Sequence, residues 1–325
     1  MPVRNDIAGV EMTEISRETV ASIVRHHRPG DGPVSVEPIA TGKFNTSFFI
    51  AVDGEALVLR VAPPRDAVFV FYERDMMRQE PEIHRLLREK TSVPVAEIVA
   101  YDDSLDLIDR DYLLMARLPG DPMTDRPQAD QDAVFRQVGA YLAEAHRLTA
   151  ETYGYIGAHR PMPPQATWVD AFGMMWRRLV DDVVSVGHYD EEERRVFLTL
   201  LDRHLALFDR PVDSCLLHMD IWHQNILVDG DSAVTGIVDW DRALWGDVEI
   251  EFAVLDYCGV SEPAFWEGYG RPRDVSPEAR VRQVFYLLYE MQKYIVIRQG
   301  RGRDAAGARR YKQQVMAIRR QAFGG

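Results

Sequence analysis

An α+β fold is predicted for this chain, with strands gathered in its first third and helices dominating the rest. It follows from three features. Short alternating or apolar runs fill residues 34–61, and two of them are joined by Asp53-Gly54, a strong two-residue hairpin signal. From residue 131 apolar side chains recur at helical spacing over long stretches. Between residues 216 and 241 that spacing breaks, and apolar runs bracket a polar loop that carries Asp220 and Asn225.

At 325 residues the chain is long enough for two lobes with a sizeable core. A formal charge of −13 argues against nucleic acid as a partner, because phosphate backbones reward Lys and Arg. It is compatible with a cationic small substrate, and equally with an acidic surface that serves solubility alone. Residues 1–10 are polar and lack the apolar core of a signal peptide, and no run of about 18 apolar residues occurs, so a cytoplasmic protein with no membrane span is expected. Cys215 and Cys258 lie in apolar surroundings without metal-ligand spacing and read as unpaired thiols.

In chain order, residues 13–27 place Ile15, Val20, Ile23 and Val24 on one helical face and stop at Pro29-Gly30. His26 and His27 stand at its polar end with no further ligand nearby, which argues against a metal there. A strand over 34–39 leads to a turn at 41–46, which holds Gly42 and Asn45. Strands 47–52 and 55–61 follow, and Arg60 closes the second. A helix over 78–88 supplies Glu80 and Glu82 on either side of Pro81. Proline fits best at the first helical position, which puts Glu80 at the helix start. Apolar runs at 98–101 and 112–118 end at Pro119-Gly120, a connection too short to be a linker.

Thereafter the chain turns helical. Residues 131–148 align Val134, Val138, Leu142 and Ala145 and end at His146, read as a buried structural histidine. A Gly/Pro-rich loop over 153–165 precedes a helix over 168–184 with Phe172, Met175, Trp176 and Leu179 on its apolar face. Asp181-Asp182 on that helix faces solvent or a cation. The next helix, 189–208, opens with Glu191-Glu192-Glu193, favourable at a helix N-terminus. Helices over 248–257, 278–298 and 304–320 complete the chain, and the arginines between 298 and 310 read as solvated surface.

The chemistry concentrates in Leu216-Leu217-His218-Met219-Asp220-Ile221-Trp222-His223-Gln224-Asn225-Ile226-Leu227-Val228 and, after a short hairpin, Gly236-Ile237-Val238-Asp239-Trp240-Asp241. A loop with Asp and Asn, set beside an apolar strand that ends in an acid, brings hard oxygen donors to one point. Such donors suit Mg²⁺, which is usually held by one or two carboxylates plus substrate phosphates. His, then Asp two residues on, then Asn five residues later, followed by a strand-end acid, resembles the catalytic and metal segments of the protein-kinase-like superfamily. With Met219 after the histidine and Asp239-Trp240-Asp241 at the strand end, the resemblance is to its aminoglycoside phosphotransferase and choline kinase branch. It extends over residues 39–257.

That resemblance implies a bilobal protein-kinase-like fold: residues 1–118 as a nucleotide-binding lobe with an antiparallel sheet and a helix, and residues 119–325 as a mainly helical catalytic lobe. It implies Asp220 as the catalytic residue, Asn225 and Asp239 as Mg²⁺ ligands, and ATP or GTP as donor. Arg60 stands where kinases have a lysine on the phosphates, and a guanidinium can grip phosphate through two donors. Glu80, or Glu82, would pair with it. Gly42 and Asn45 would lie over the phosphates, and main-chain groups of Met115, Ala116 and Leu118 would meet the base. Glu251 stands where the branch often has an aspartate bracing the catalytic loop. Asp241 would lie behind the metal site, and His218 would pack and hydrogen-bond rather than act as base. The acceptor would be a hydroxylated and cationic small molecule, an aminoglycoside or other antibiotic ahead of a choline-, amino-sugar- or homoserine-like metabolite; a non-catalytic nucleotide-binding relative is the further alternative. The protein would be a monomer or homodimer.

Other chemistries fit the residues less well. A phosphatase reading of Asp239-Trp240-Asp241 needs a threonine where Ala243 stands. A glycosyltransferase Asp-x-Asp gives Asp220 and Asn225 no role. A metal hydrolase built on His218, Asp220 and His223 lacks further ligands.

Overall fold

The structure, a computed structural model, describes residues 15–40, 44–156, 159 and 161–324. Its first part is a five-stranded antiparallel sheet built from β1 (Val34–Ile39), β2 (Thr46–Val52), β3 (Glu55–Val61), β4 (Ile98–Asp102) and β5 (Tyr112–Ala116), in the order β1-β2-β3-β5-β4. The β2–β3 turn takes positive φ at both Asp53 and Gly54, the mirror-image turn that matches strand twist and that Asp-Gly accommodates. Helix α1 (Arg17–His27) covers one face of the sheet. Ser16 caps it by accepting from the Thr19 N–H. Val20, Ile23 and Val24 pack on Leu57, Leu59, Val61, Phe48 and Ile50.

The period of two in β3 decides where Arg60 points. Leu57, Leu59 and Val61 face α1, whereas Val58 packs with Leu113 and Met115 on the opposite face, the face that Arg60 shares. Helix α2 (Glu80–Lys90) lies on that side. It starts one residue ahead of Pro81, so the proline occupies the first turn, where its missing N–H has no partner to lose.

The second part is mainly helical. Helix α3 (Gln131–Ala145), α4 (Trp168–Ser185), α5 (Glu191–His204), α6 (Val248–Cys258), α7 (Pro263–Tyr269), α8 (Pro277–Gln299) and α9 (Ala305–Phe323) enclose two small sheets. One is β11-β10-β6 (Val234–Ile237, Ile226–Val228, Asp121–Pro122) and the other β7-β9-β12-β8 (Thr149–Ala150, Ser214–Leu217, Leu244–Gly246, Gly154–Tyr155). An aromatic core of Trp168, Phe172, Trp176, Phe197, Phe208, Phe285 and Tyr286 joins α4, α5 and α8. The expected helix over 189–208 ends its α-helical part at His204, and Leu205–Leu207 tightens into a 3₁₀ turn. Helix α7 was not anticipated. Among the described residues no helix is long and apolar enough to cross a membrane, and Cys215 and Cys258 are unpaired.

Glycines let α3 and α7 touch along their backbones. A Cβ on Gly268 would lie 1.8 Å from the Arg136 carbonyl oxygen, and one on Gly139 would lie 2.1 Å from that of Phe265. Gly→Ala inside a helix normally gains about 1 kcal/mol from propensity. Here the clash is with backbone, which cannot rotate away, so Gly268→Ala is expected to lower stability by about 1–3 kcal/mol. Denaturant unfolding measures the sign, and a stabilised variant would contradict the packing.

Candidate active site

Two backbone segments are tied together at Val238. Its N–H donates to the Asn225 carbonyl (3.0 Å), extending the β10–β11 ladder. Its own carbonyl accepts from His218 Nε2 (3.0 Å), while His218 Nδ1 accepts from the Asp220 N–H (3.1 Å). Both ring nitrogens are engaged, the imidazole is fully buried, and burial holds its pKa below the ordinary value. His218 is therefore a neutral spacer between Asp220 and the strand end that carries Asp239. It is neither a base nor a metal ligand. Trp240 packs on its ring at 4.4 Å between centroids.

The loop is held from below by Glu251 on α6, which is fully buried. Its carboxylate accepts from the N–H groups of His218 (3.0 Å) and Met219 (2.7 Å) and faces His146 Nε2 at 2.7 Å. His146 Nδ1 in turn meets the Tyr269 hydroxyl at 2.8 Å. Burial raises the Glu251 pKa, but the His146 bond and charge and the backbone donors outweigh it and leave the group below its ordinary value. Met219 takes a left-handed φ of 66° with its side chain in the core, and Asp239 one of 71°. Such backbone costs on the order of 1–3 kcal/mol per non-glycine residue. It is concentrated on either side of the residues that meet here.

Asn225 donates its amide N–H to the Asp220 carbonyl (2.9 Å) and lies 3.4 Å from Asp220 Oδ2. Asp220 also accepts from Arg242 (2.6 Å) and stands 3.9 Å from Lys293. Burial raises its pKa, yet Arg242 and Lys293 outweigh that and keep the carboxylate ionised. Glu290 balances both cations, 3.5 Å from Arg242 and in contact with Lys293. The result is a neutral quartet of two acids and two bases.

On the sheet side, Arg60 bonds Glu80 through one nitrogen (2.8 and 2.5 Å) and Asp239 and Asp241 through the other, the Asp241 bond at 3.0 Å. Glu80 is fully buried, whereas Glu82 faces solvent, which resolves the choice between them. One guanidinium thus meets three carboxylates. Burial and the Asp239 charge drive the Asp241 carboxyl upward, and burial raises Glu80 despite Arg60. Asn45 donates to Asp241 (3.2 Å), and Gln79 donates to the carbonyls of Asp241 (2.5 Å) and Ala243 (2.9 Å). Asn45 is thereby engaged with the acid cluster, and Gly42 lies outside the described residues. At the connection between the two parts, the Ala116 N–H donates to Glu97 and that of Arg117 to Ala56.

Asn225 offers an amide oxygen and Asp239 a partly exposed carboxylate on segments joined at Val238, both hard oxygen donors. That set fits a divalent ion whose shell is completed by phosphates. Among the described residues no group of three His, Cys, Asp or Glu side chains makes a closed metal cage.

Sequence reasoning missed Arg242, Gln79, Glu290 and Lys293. Glu290 and Lys293 had a signal: two charged residues on the otherwise apolar stretch of α8, both buried. Asp181 and Asp182 are both engaged within the protein. Asp181 accepts from Arg194 (2.7 Å) and Asp182 accepts from the Phe71 N–H (2.7 Å).

A family model, the phosphotransferase enzyme family, matches residues 35–280. A Vibrio cholerae protein named "Probable ketoamine kinase" is 27% identical over 231 residues, 66% of this chain and 73% of that protein. The Escherichia coli hygromycin-B 4-O-kinase is 24% identical over 289 residues, 83% of this chain and 77% of that one. Among solved structures, a thermostable mutant of aminoglycoside phosphotransferase APH(4)-Ia in ternary complex with AMP-PNP and hygromycin B superposes with a TM-score of 0.65 at 20% identity, over 94% of this chain and 100% of that one. The shared fold is the kinase-like one, with an antiparallel sheet followed by a helical lobe.

Glu251→Gln replaces an acceptor of three donors by a group that must turn an NH₂ toward one of them, a loss of about 2–3 kcal/mol. Because the folded-state pKa of Glu251 is lowered, its contribution is fully present above the ordinary glutamate range and fades as pH falls through it. The acid limb of the stability–pH curve should therefore be shallower in the variant. Equal slopes for the two proteins would contradict this role.

Proposed function

Because this chain belongs to the phosphotransferase enzyme family, we propose that it transfers the γ-phosphoryl group of ATP or GTP to a hydroxyl of a small molecule, with Asp220 as the base and Asn225 and Asp239 as ligands of Mg²⁺. What carries this reading is the gathering of Asp220, Asn225 and Asp239 around Val238, with Arg60 facing them from the sheet.

Asp220, ionised, accepts or orients the proton of the acceptor hydroxyl as its oxygen attacks the γ-phosphorus. Asn225 fixes the loop that presents Asp220 through its own amide hydrogen bonds. Arg60, steadied by Glu80, offsets charge on the α- and β-phosphates. Asn45 is held at the acid cluster through Asp241. The main chain of Met115, Ala116 and Leu118 borders the base. When bound, Mg²⁺ supplies charge neutralisation on the phosphates. Phosphoryl transfer asks a protein mainly for positioning and electrostatics, which these groups provide.

For the acceptor, the first reading is an aminoglycoside-type antibiotic, supported by the hygromycin-B 4-O-kinase relative and by the acidic chain. A second reading is a sugar–amino acid ketoamine, supported by the relative named as a ketoamine kinase. Values of kcat/KM with hygromycin B and with a fructose–amino acid adduct, each with Mg·ATP and Mg·GTP, separate the two. Asp220→Asn should lower transfer by about 10²–10⁴-fold and leave nucleotide affinity nearly unchanged. Full turnover in that variant would remove Asp220 from its role.

A further inference from the structure

One face of α8 carries Glu290, Lys293 and Tyr294, which at spacings of three and four residues stand side by side. Glu290 and Lys293 are buried, whereas Tyr294 is partly exposed. The Lys293 ammonium joins the tyrosine to the candidate base. It lies 4.8 Å from the centre of the Tyr294 ring and 3.9 Å from Asp220 Oδ1. Arg242 bonds that same oxygen, so Oδ2, which lies 3.4 Å from the Asn225 amide, is the one not taken by a cation.

Packing fixes the Tyr294 ring. It stacks on Tyr311 of α9 with centroids 5.0 Å apart and an interplanar angle of 24°, and Tyr257 of α6 stands 5.6 Å away at 33°. The hydroxyls of those two neighbours bond each other at 2.9 Å. The Tyr294 hydroxyl makes no hydrogen bond to the described residues and is not enclosed, so water meets it. Burial raises its pKa, and the charges of Glu290 and Asp220 add to that, so the phenol shares the electrostatic surroundings of the candidate base. A phenylalanine would pack equally well here. The hydroxyl is surplus to the fold, a rigid polar tip held near the base without a partner.

We propose that Tyr294 is an acceptor-binding residue whose hydroxyl holds one polar group of the acceptor while a hydroxyl of the same molecule meets Asp220. The inference rests on the phosphotransfer reading above and narrows its acceptor to polyhydroxylated molecules, such as a sugar or aminosugar ring. A phenol both donates and accepts, so it bonds a hydroxyl or an amine alike. A simple alcohol gives its one hydroxyl to Asp220 and leaves Tyr294 with water. A sugar ring exchanges that water for a hydrogen bond at little cost in side-chain ordering, because three neighbours already fix the tyrosine. Two points of attachment then orient the reacting oxygen, which is the positioning that phosphoryl transfer asks of a protein.

Tyr294→Phe removes one oxygen and nothing that the fold uses. Initial rates of phosphorylation of hygromycin B and of a fructose–amino acid adduct are measured with saturating Mg·ATP. Mg·AMP-PNP affinity by calorimetry and the melting temperature are recorded alongside. For whichever acceptor the wild type phosphorylates, its KM is expected to rise about 3–12-fold in Tyr294→Phe, at unchanged melting temperature and nucleotide affinity. Tyr257→Phe is the control. It breaks the hydrogen bond to Tyr311, so it should lower the melting temperature and leave the acceptor KM alone. An unchanged acceptor KM in Tyr294→Phe overturns the assignment and leaves the phosphotransfer reading standing. An equal rise in both variants overturns it too, since loosening of the tyrosine cluster then accounts for the effect. Failure of the wild type to phosphorylate either acceptor would overturn the acceptor reading and this assignment together.

Discussion

The arrangement depends on a single guanidinium. Arg60 reaches out of β3 on the side away from α1 and divides its two terminal nitrogens, one for Glu80 of its own lobe and one for Asp239 and Asp241 of the other. An ammonium is a point charge on a flexible stem and has no separate ends to assign. Arginine in this position therefore joins the lobes. Buried ion pairs of this kind contribute little net stability over apolar packing, because desolvation offsets the attraction. Their value here is geometric. They fix where the strand-end acids lie relative to the sheet.

The second determinant is backbone. A loop that turns through left-handed φ at Met219 and a strand that ends in left-handed φ at Asp239 are both unfavourable alone. Glu251 holds the first through two N–H groups, and the Trp240 3₁₀ turn, with Gln79 on its carbonyls, holds the second. His218 then links the two, with Trp240 packed on its ring. This accounts for residues of the motif that touch no ligand: the histidine sets a spacing, and the tryptophan keeps the histidine there.

Much of this was legible in the chain. Alternation in β3 and the Asp-Gly turn revealed the sheet, because strand and hairpin preferences are local. Pro81 put Glu80 at the start of α2 and left Glu82 as its competitor, a choice that burial decides. The motif located Asp220, Asn225 and Asp239. What stayed hidden depends on contacts between residues far apart in sequence. Arg242 reads as a stray base among acids until Tyr72, 170 positions earlier, is seen on top of it. Residues 68–75 read as a plain connection, since nothing in their composition says that Val70 and Tyr72 belong to the core of the other lobe. Asp182 looked like a solvated face and proved to be an anchor for that segment. Short α7 escaped notice because its packing on α3 works through glycines, which carry no periodic signal.

Acids of the same motif are placed in opposite electrostatic settings, and the contrast assigns their work. Asp241 and Glu80 share one cation with Asp239, so burial pushes their pKa values up and the group as a whole is short of positive charge. Asp220, 21 positions before Asp241, belongs to a quartet of two acids and two bases, and Arg242 and Lys293 keep it ionised. A base must be unprotonated before its substrate comes, and on the proposed reading the cations beside Asp220 meet that requirement. Environments that push neighbouring carboxyl groups apart in this way are how one fold gives chemically identical groups different tasks. Asp220 is thus held ionised by the protein's own cations, whereas the carboxyl groups around Arg60 are left with one cation among three.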